Sequence, residues 1–117
     1  MKKFLVLYKA STAAFQQWMS ATPEQQKAGM DEWMAWSKKA GGMIVDLGAM
    51  LGKSMRVTPG GASPVVNDLG GYSILQAESK EELARALEGH PHFKAADGSP
   101  EASATIEISE IVPMTNT

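Results

Sequence analysis

The sequence predicts an α+β domain with an antiparallel sheet, and three observations predict it. The chain opens on a short apolar strand pattern, capping residues mark two helix starts, and strand patterns follow each predicted helix. In chain order the elements run β, α, β with an extra β, then β, α, β. Split βαβ units of this kind form a ferredoxin-like sheet with both helices on one face.

Composition and charge narrow the class of protein. The 117 residues suit a single domain, predicted over residues 1–114, with residues 115–117 as a C-terminal tail. A net charge of −2 with scattered basic residues argues against a nucleic-acid partner. No stretch is apolar for the roughly 18 residues of a membrane span, so no membrane partner is expected. The lack of cysteine excludes disulfides and thiolate chemistry, and together these absences predict a cytoplasmic protein.

The first predicted strand covers residues 3–9 and is apolar on both faces. Alternation places Phe4, Val6 and Tyr8 on one face, and it places Leu5 and Leu7 on the other. With both helices on one face, the second face still carries apolar side chains. An exposed apolar sheet face is more often an interface than a solvent surface, so we expect a homodimer in which two sheets pack face to face.

Two helices are predicted from their capping boxes. Thr22-Pro23-Glu24-Gln25 supplies a capping Thr, a first-turn Pro and a Gln three residues on, and this helix should end near Ala40 before Gly41-Gly42. Ser79-Lys80-Glu81-Glu82 is the second box and begins a shorter helix that ends at Gly89. Both helices present an apolar stripe, which is typical of helices that lie on a sheet.

The other segments are assigned from composition and alternation. Residues 11–21 are expected to form a loop or a short helical turn, and residues 59–64, rich in Gly and Pro, a loop. Gly52-Lys53 is expected to turn the second strand into the third, as a hairpin or bulged ribbon. The later strands are predicted over residues 43–51 (broken at Gly48), 54–58, 70–77 and 104–112.

Four local features occur in a specific order. They are the opening Met-Lys-Lys-Phe-Leu-Val-Leu-Tyr, the Thr-Pro-Glu-Gln start of a Trp-rich helix, Gly70-Gly71-Tyr72-Ser73-Ile74 before Glu78-Ser79, and His90-Pro91-His92 followed by Ile106-Glu107-Ile108 and Val112-Pro113-Met114. In these features the chain, over about Met1 to Met114, resembles the YCII-related proteins, in the branch that also holds DGPF-type domains. The resemblance implies a dimeric α/β-barrel. In one branch a His–Asp pair with an early histidine has been proposed as catalytic, and here no histidine precedes His90.

Two residues are candidates for catalysis. His90 follows the second helix, and an imidazole that titrates near neutrality suits a general acid or base. The alternative is a structural role at the helix end, since Gly89 suits the left-handed position there. Asp46 lies in an apolar segment, where a carboxylate is costly unless paired or hydrated. It is therefore either the base of a pocket or a residue that marks where the strand leaves the sheet.

Three further residues are candidates for binding a substrate. Tyr72, Arg56 and Tyr8 would line a small-molecule cavity with phenol and guanidinium groups. The alternative for Tyr72 is a place in the core or the interface. No cofactor is predicted. No metal is predicted either, because His90-Pro91-His92 with Asp97 supplies too few local ligands.

Two hypotheses of function remain open. One is a small-molecule enzyme, with its pocket between the helices and the sheet. The other is a non-catalytic dimeric binding or accessory module, because the sequence contains no nucleophile–base or metal constellation.

Overall fold

The computed structural model describes residues 1–114, so the predicted tail 115–117 lies outside the described residues. The strands are β1 (Lys2–Lys9), β2 (Ile44–Met50), β3 (Ser54–Thr58), β4 (Gly61–Val65), β5 (Leu69–Ala77) and β6 (Thr105–Glu110). The α-helices are α1 (Thr12–Met19), α2 (Pro23–Ala40) and α3 (Lys80–Leu87). Within these described residues, none of the helices combines the length and the apolar character needed to span a bilayer.

Four of the strands form one sheet in the order β2-β5-β1-β6, and every neighbouring pair is antiparallel. The helices α1 and α2 connect β1 to β2, and α3 connects β5 to β6. This is the split βαβ arrangement of a ferredoxin-like sheet, so the predicted α+β fold class is confirmed.

The core lies between the sheet and the helices. Alternation along β1 and β5 buries one face of each strand, and Phe4, Val6 and Leu75 are at most 1% exposed. Leu83 and Leu87 of α3 complete this cluster, and the indoles of α2 pack against it. Burial of each such side chain contributes about 1.5–3 kcal/mol to folding.

The capping residues begin their helices as predicted. Thr22 Oγ1 accepts a hydrogen bond from the Gln25 amide, and Gln25 Oε1 accepts one from the Thr22 amide, both at 3.1 Å. Ser79 Oγ accepts from the Glu82 amide at 3.1 Å, but Glu82 Oε2 accepts from the Glu78 amide instead of the Ser79 amide, so only half of the second capping box forms. Gly89 has φ of 74°, the left-handed conformation expected after the helix.

Strand β2 is irregular, and Gly48 explains why. Its φ is 84°, and a Cβ at this position would overlap the Tyr72 carbonyl of β5, so only glycine fits without strain. The pairing register of β2 with β5 shifts on both sides of Asp46. Residues 46–49 therefore bulge at the edge of the sheet.

Four predictions about individual segments differ from the structure. Residues 59–64 are not a loop, because Gly61–Val65 forms β4 and pairs with β3 in a separate hairpin. The third strand therefore does not form a hairpin with the second strand. The segment 11–21 contains a full helix, α1, rather than a loop or single turn, and the last strand ends at Glu110 instead of Val112.

The sheet face opposite the helices is only partly covered within the described chain. Leu5, Leu7 and Ile74 alternate with buried neighbours and remain half-buried on this face. We call these residues, together with Tyr72, the open face. The β3–β4 hairpin adds further exposed apolar groups, with Val57 78% and Met55 64% exposed.

Candidate functional site

A cavity of about 570 Å³ lies where α1 and α2 face strands β2 and β5. Its size is that of a small-molecule site. Most of its wall is apolar, and the principal side chains are Phe15, Trp18, Met30, Trp33, Met34 and Leu47.

Helix α1 closes one side of the cavity, and two of its aromatic rings pack against glycines of α2 and β5. A Cβ on Gly29 would lie 2.6 Å from the Trp18 ring, and a Cβ on Gly70 would overlap the Phe15 ring. The absence of a side chain at both positions lets the two rings lie against α2 and β5. None of the α1 side chains is fully buried, so contacts of this kind largely determine its position.

Tyr8 belongs to a short hydrogen-bond chain at the floor of the cavity. Its hydroxyl lies 2.9 Å from Ser73 Oγ, and Ser73 Oγ donates to the Leu47 carbonyl at 2.6 Å. Ser73 has a single hydroxyl proton, so the Tyr8 hydroxyl must donate to Ser73. Burial raises the pKa of the Tyr8 phenol, although its hydrogen bond to Ser73 acts in the opposite direction.

His92 also lines the cavity and connects the central strand β1 to the edge strand β6. Its Nε2 lies 2.8 Å from the Lys9 carbonyl and 3.1 Å from the Thr105 carbonyl, which are partners in the β1–β6 register. Because both neighbours are acceptors, Nε2 carries the proton, and Nδ1 has a lone pair in the neutral ring. Burial lowers the pKa of His92, an effect that its bonds to the two carbonyls partly offset.

His90 lies beneath α2 in an aromatic enclosure. Its ring centroid is 4.4 Å from that of Trp36, 4.5 Å from that of Trp33 and 5.1 Å from that of Tyr8. Its Nδ1 accepts from the His92 amide at 2.9 Å, so Nε2 carries the proton of the neutral ring. Among the side-chain atoms of residues 1–114, Nε2 of His90 is the one buried nitrogen or oxygen that has no hydrogen-bond partner. Burial and the nearby His92 lower the pKa of His90 to about 3.

The mouth of the cavity is more polar than its floor. Lys94 and Glu32 form an ion pair at 3.3 Å, and both are exposed. The other carboxylates in the lining are Glu24, Asp97 and Glu101. Carboxylates therefore outnumber the single lysine in the lining of the cavity.

The structure places the predicted site residues in different locations. Tyr8 and Tyr72 line the cavity, whereas His90, Asp46 and Arg56 are not among the lining residues. Alternation along β5 places the Tyr72 side chain opposite Ser73, on the open face. The catalytic and substrate-binding roles that the sequence predicts for these five residues remain predictions.

Asp46 and Arg56 have local surroundings that account for their exposure. Asp46 Oδ1 accepts from the Gly48 amide at 2.8 Å within the β2 bulge. Arg56 lies in β3 of the hairpin, which belongs to a different sheet from the cavity strands. From the sequence, His90 and not His92 was chosen as a site residue, whereas His92 is the histidine that lines the cavity. Pro91 between them indicates a turn, but a turn does not tell which of the two rings faces the cavity.

Within residues 1–114, no group of three or more His, Asp or Glu side chains is arranged to hold a metal ion.

The topology and the cavity define a class: an α+β protein with a ferredoxin-like sheet and a chamber of small-molecule size. No protein-family model matches the chain, and no curated protein matches it. Among solved structures, the chain is similar to a 5-chloro-2-hydroxyhydroquinone dehydrochlorinase from Burkholderia phenoliruptrix AC1100 in complex with 2,5-dihydroxybenzoquinone. The identity is 16%, 90% of each chain is covered, and the TM-score is 0.45. A likeness of this degree gives no residue of this chain a role and carries no activity to it.

Proposed function

We propose that the protein is a small-molecule enzyme of the YCII-related type that works in the cavity between the helices and the sheet. One observation carries the proposal: His92 presents an imidazole to a chamber whose wall is mostly apolar, with Nε2 fixed by two carbonyls. A neutral imidazole with a fixed tautomer is suited to remove a proton from a bound molecule through Nδ1.

In this proposal Tyr8 binds the substrate beside His92, since both residues line the cavity and their ring centroids are 5.5 Å apart. Tyr72 lies beside the cavity in β5, but its side chain is on the open face, so it has no role in binding the substrate in this proposal. His90 is a positioning residue, because its Nδ1 accepts the amide proton of His92 and supports the turn that carries the base. The proton taken by Nδ1 would leave through solvent at the mouth of the cavity.

Two variants of helix α2 test whether the cavity binds a molecule. Ala28 and Ala35 are both exposed on α2, but only Ala28 lines the cavity. We expect small phenols, lactones or acids to raise the Tm of the wild type and of Ala35→Phe, and to have no effect on Ala28→Phe. If no compound separates the wild type from Ala28→Phe, the cavity is not a binding site and the proposal fails.

A third variant tests the chemistry. The amide nitrogen of Gln matches Nε2 of His, so His92→Gln keeps a donor toward Lys9 and Thr105 and removes the base. We expect a compound bound by the wild type to exchange an acidic carbon-bound hydrogen for deuterium in D₂O, followed by NMR. His92→Gln should slow this exchange about 100-fold or more while binding is kept. Equal exchange rates would show that His92 is not the base.

The second candidate is a non-catalytic dimeric module. It is favoured by the exposed apolar groups of the β3–β4 hairpin and by the open face. Association of two copies through the open face is compatible with both candidates, since the cavity lies on the opposite side of the sheet. Binding without any exchange chemistry in the two experiments above would favour this second candidate.

A further inference from the structure

We infer that the floor of the cavity accepts hydrogen bonds instead of donating them, so that its ligand is an uncharged aromatic molecule bearing a hydroxyl group, of the phenol class. The inference rests on the proposed function, because it concerns the ligand of the same cavity. It goes further because the hydrogen-bond donors at the floor of the cavity are already bonded to protein acceptors. The groups left free at the floor therefore determine which chemical group a ligand needs.

The first acceptor is the Tyr8 oxygen. Ser73 Oγ donates its proton to the Leu47 carbonyl at 2.6 Å, which cannot donate in return. The 2.9 Å contact between Ser73 and Tyr8 therefore uses the phenolic proton of Tyr8. The Tyr8 oxygen then has lone pairs and no proton to offer to a ligand.

The second acceptor is His92 Nδ1. The Nε2 proton of His92 is shared between the Lys9 and Thr105 carbonyls. Nδ1 has no hydrogen-bond partner among residues 1–114. It is not one of the buried polar atoms that lack a partner in this part of the chain, so it is not fully buried. Because burial holds the pKa of His92 below its usual value, the ring is neutral at pH 7 and Nδ1 accepts.

The charge at the mouth disfavours an anionic ligand. Its lining carries Glu24, Glu32, Asp97 and Glu101 against Lys94, whose ammonium is already paired with Glu32. A carboxylate ligand would meet this negative charge on entry and two acceptors at the floor, and both contacts are repulsive. An uncharged hydroxyl group is not repelled by the carboxylates, and it can donate a hydrogen bond to the acceptors at the floor.

The walls favour a flat ring. Phe15, Trp18 and Trp33 present aromatic surfaces, and Met30 and Met34 present thioethers, which pack well against ring edges. An aromatic hydroxyl compound thus matches both the wall and the floor.

Three matched compounds test the inference by calorimetry at pH 7: 2-naphthol, its methyl ether and 2-naphthoate. We expect the naphthol to bind the wild type roughly tenfold more tightly than the ether, which has the ring but no donor. The naphthoate should bind least. The preference for naphthol over ether should shrink in Tyr8→Phe, which removes one acceptor, and in His92→Gln, whose amide oxygen does not occupy the position of Nδ1. Ala35→Phe is the control and should keep the full preference.

The outcomes separate the two proposals. Equal binding of naphthol and ether, or tightest binding of the naphthoate, overturns the inference and leaves the cavity as a binding site. A preference that survives in both acceptor variants also overturns it, because the donor would be recognised elsewhere. If none of the three compounds binds the wild type more tightly than Ala28→Phe, the proposed function fails as well.

Discussion

The imidazole of His90 packs edge-on against the indole of Trp36, with 4.4 Å between the ring centroids. The ring is 1% exposed, and Nε2 has no hydrogen-bond partner among the described residues. A charged imidazolium has no compensating carboxylate in this enclosure. His90 is therefore an uncharged part of the core in the folded protein, although it belongs to the residue type most often chosen for acid–base chemistry.

The first prediction concerns acid stability. The folded pKa of His90 is about 3, whereas an unfolded His titrates near 6.5, so below pH 6.5 the unfolded chain binds the extra proton. Stability is therefore fully present above pH 6.5 and is lost as the pH falls toward 3. We expect a loss of about 2 kcal/mol between pH 6.5 and 4.5, measured by urea unfolding.

The control for this prediction is His90→Asn. Its amide oxygen matches Nδ1 and can still accept from the His92 amide, but the side chain does not titrate. The variant should be less stable at pH 7, by about 1–3 kcal/mol, because it leaves space among the aromatic rings. Its stability should then depend less on pH. The same acid sensitivity in both proteins would contradict the assignment to His90.

The second prediction concerns the hydrogen-bond chain of Tyr8, Ser73 and Leu47. Ser73→Ala leaves the buried Tyr8 hydroxyl and the Leu47 carbonyl without this partner, which we expect to cost about 1–3 kcal/mol. Tyr8→Phe removes the donor instead. The double variant should lose less than the sum of the two single losses, by about 1 kcal/mol, in urea unfolding. Additive losses would mean that the two hydroxyls are not coupled.

The third prediction concerns helix α1. Gly70→Ala places a Cβ against the Phe15 ring, so α1 must move outward, and we expect its amides to exchange roughly tenfold faster. Gly52→Ala is the matched control, since no atom lies within 4 Å of its added Cβ. Hydrogen exchange followed by mass spectrometry measures both. Unchanged exchange over residues 12–19 would show that α1 does not depend on this contact.

The fourth prediction concerns the homodimer, which stays a proposal. If the open face is the interface, light scattering at micromolar concentration should give about twice the 12.5 kDa chain mass. Ile74→Lys on the open face should then yield a monomer. Val57→Lys, which places the same charge on the hairpin, should remain a dimer. A dimer lost only in Val57→Lys would move the interface to the hairpin.

Much of the fold could be predicted because its signals are local. Thr22 and Ser79 begin their helices through hydrogen bonds to residues three positions on, so sequence spacing alone locates them. The alternation of Phe4, Val6 and Tyr8 is equally local. The topology then followed from the order of elements and the rules of split βαβ units.

The parts that could not be predicted depend on contacts between distant residues. Strand β4 has the Gly, Ser and Pro composition of a loop, but Pro64 is tolerated because a two-stranded hairpin leaves outward amide positions without a ladder bond. His90 and His92 are two positions apart, and only the fold directs His92 to the cavity and His90 beneath α2. Sequence spacing carries no information on that choice.

The central position of β1 has a consequence for how the chain is made. β1 precedes the other strands of this sheet in the chain, yet its two neighbours are β5 and β6, at residues 69–77 and 105–110. His92 bridges the same strands through Lys9 and Thr105. β1 therefore cannot complete its pairing until β5 and then β6 have been synthesised, and its apolar side chains lack these partners in the meantime.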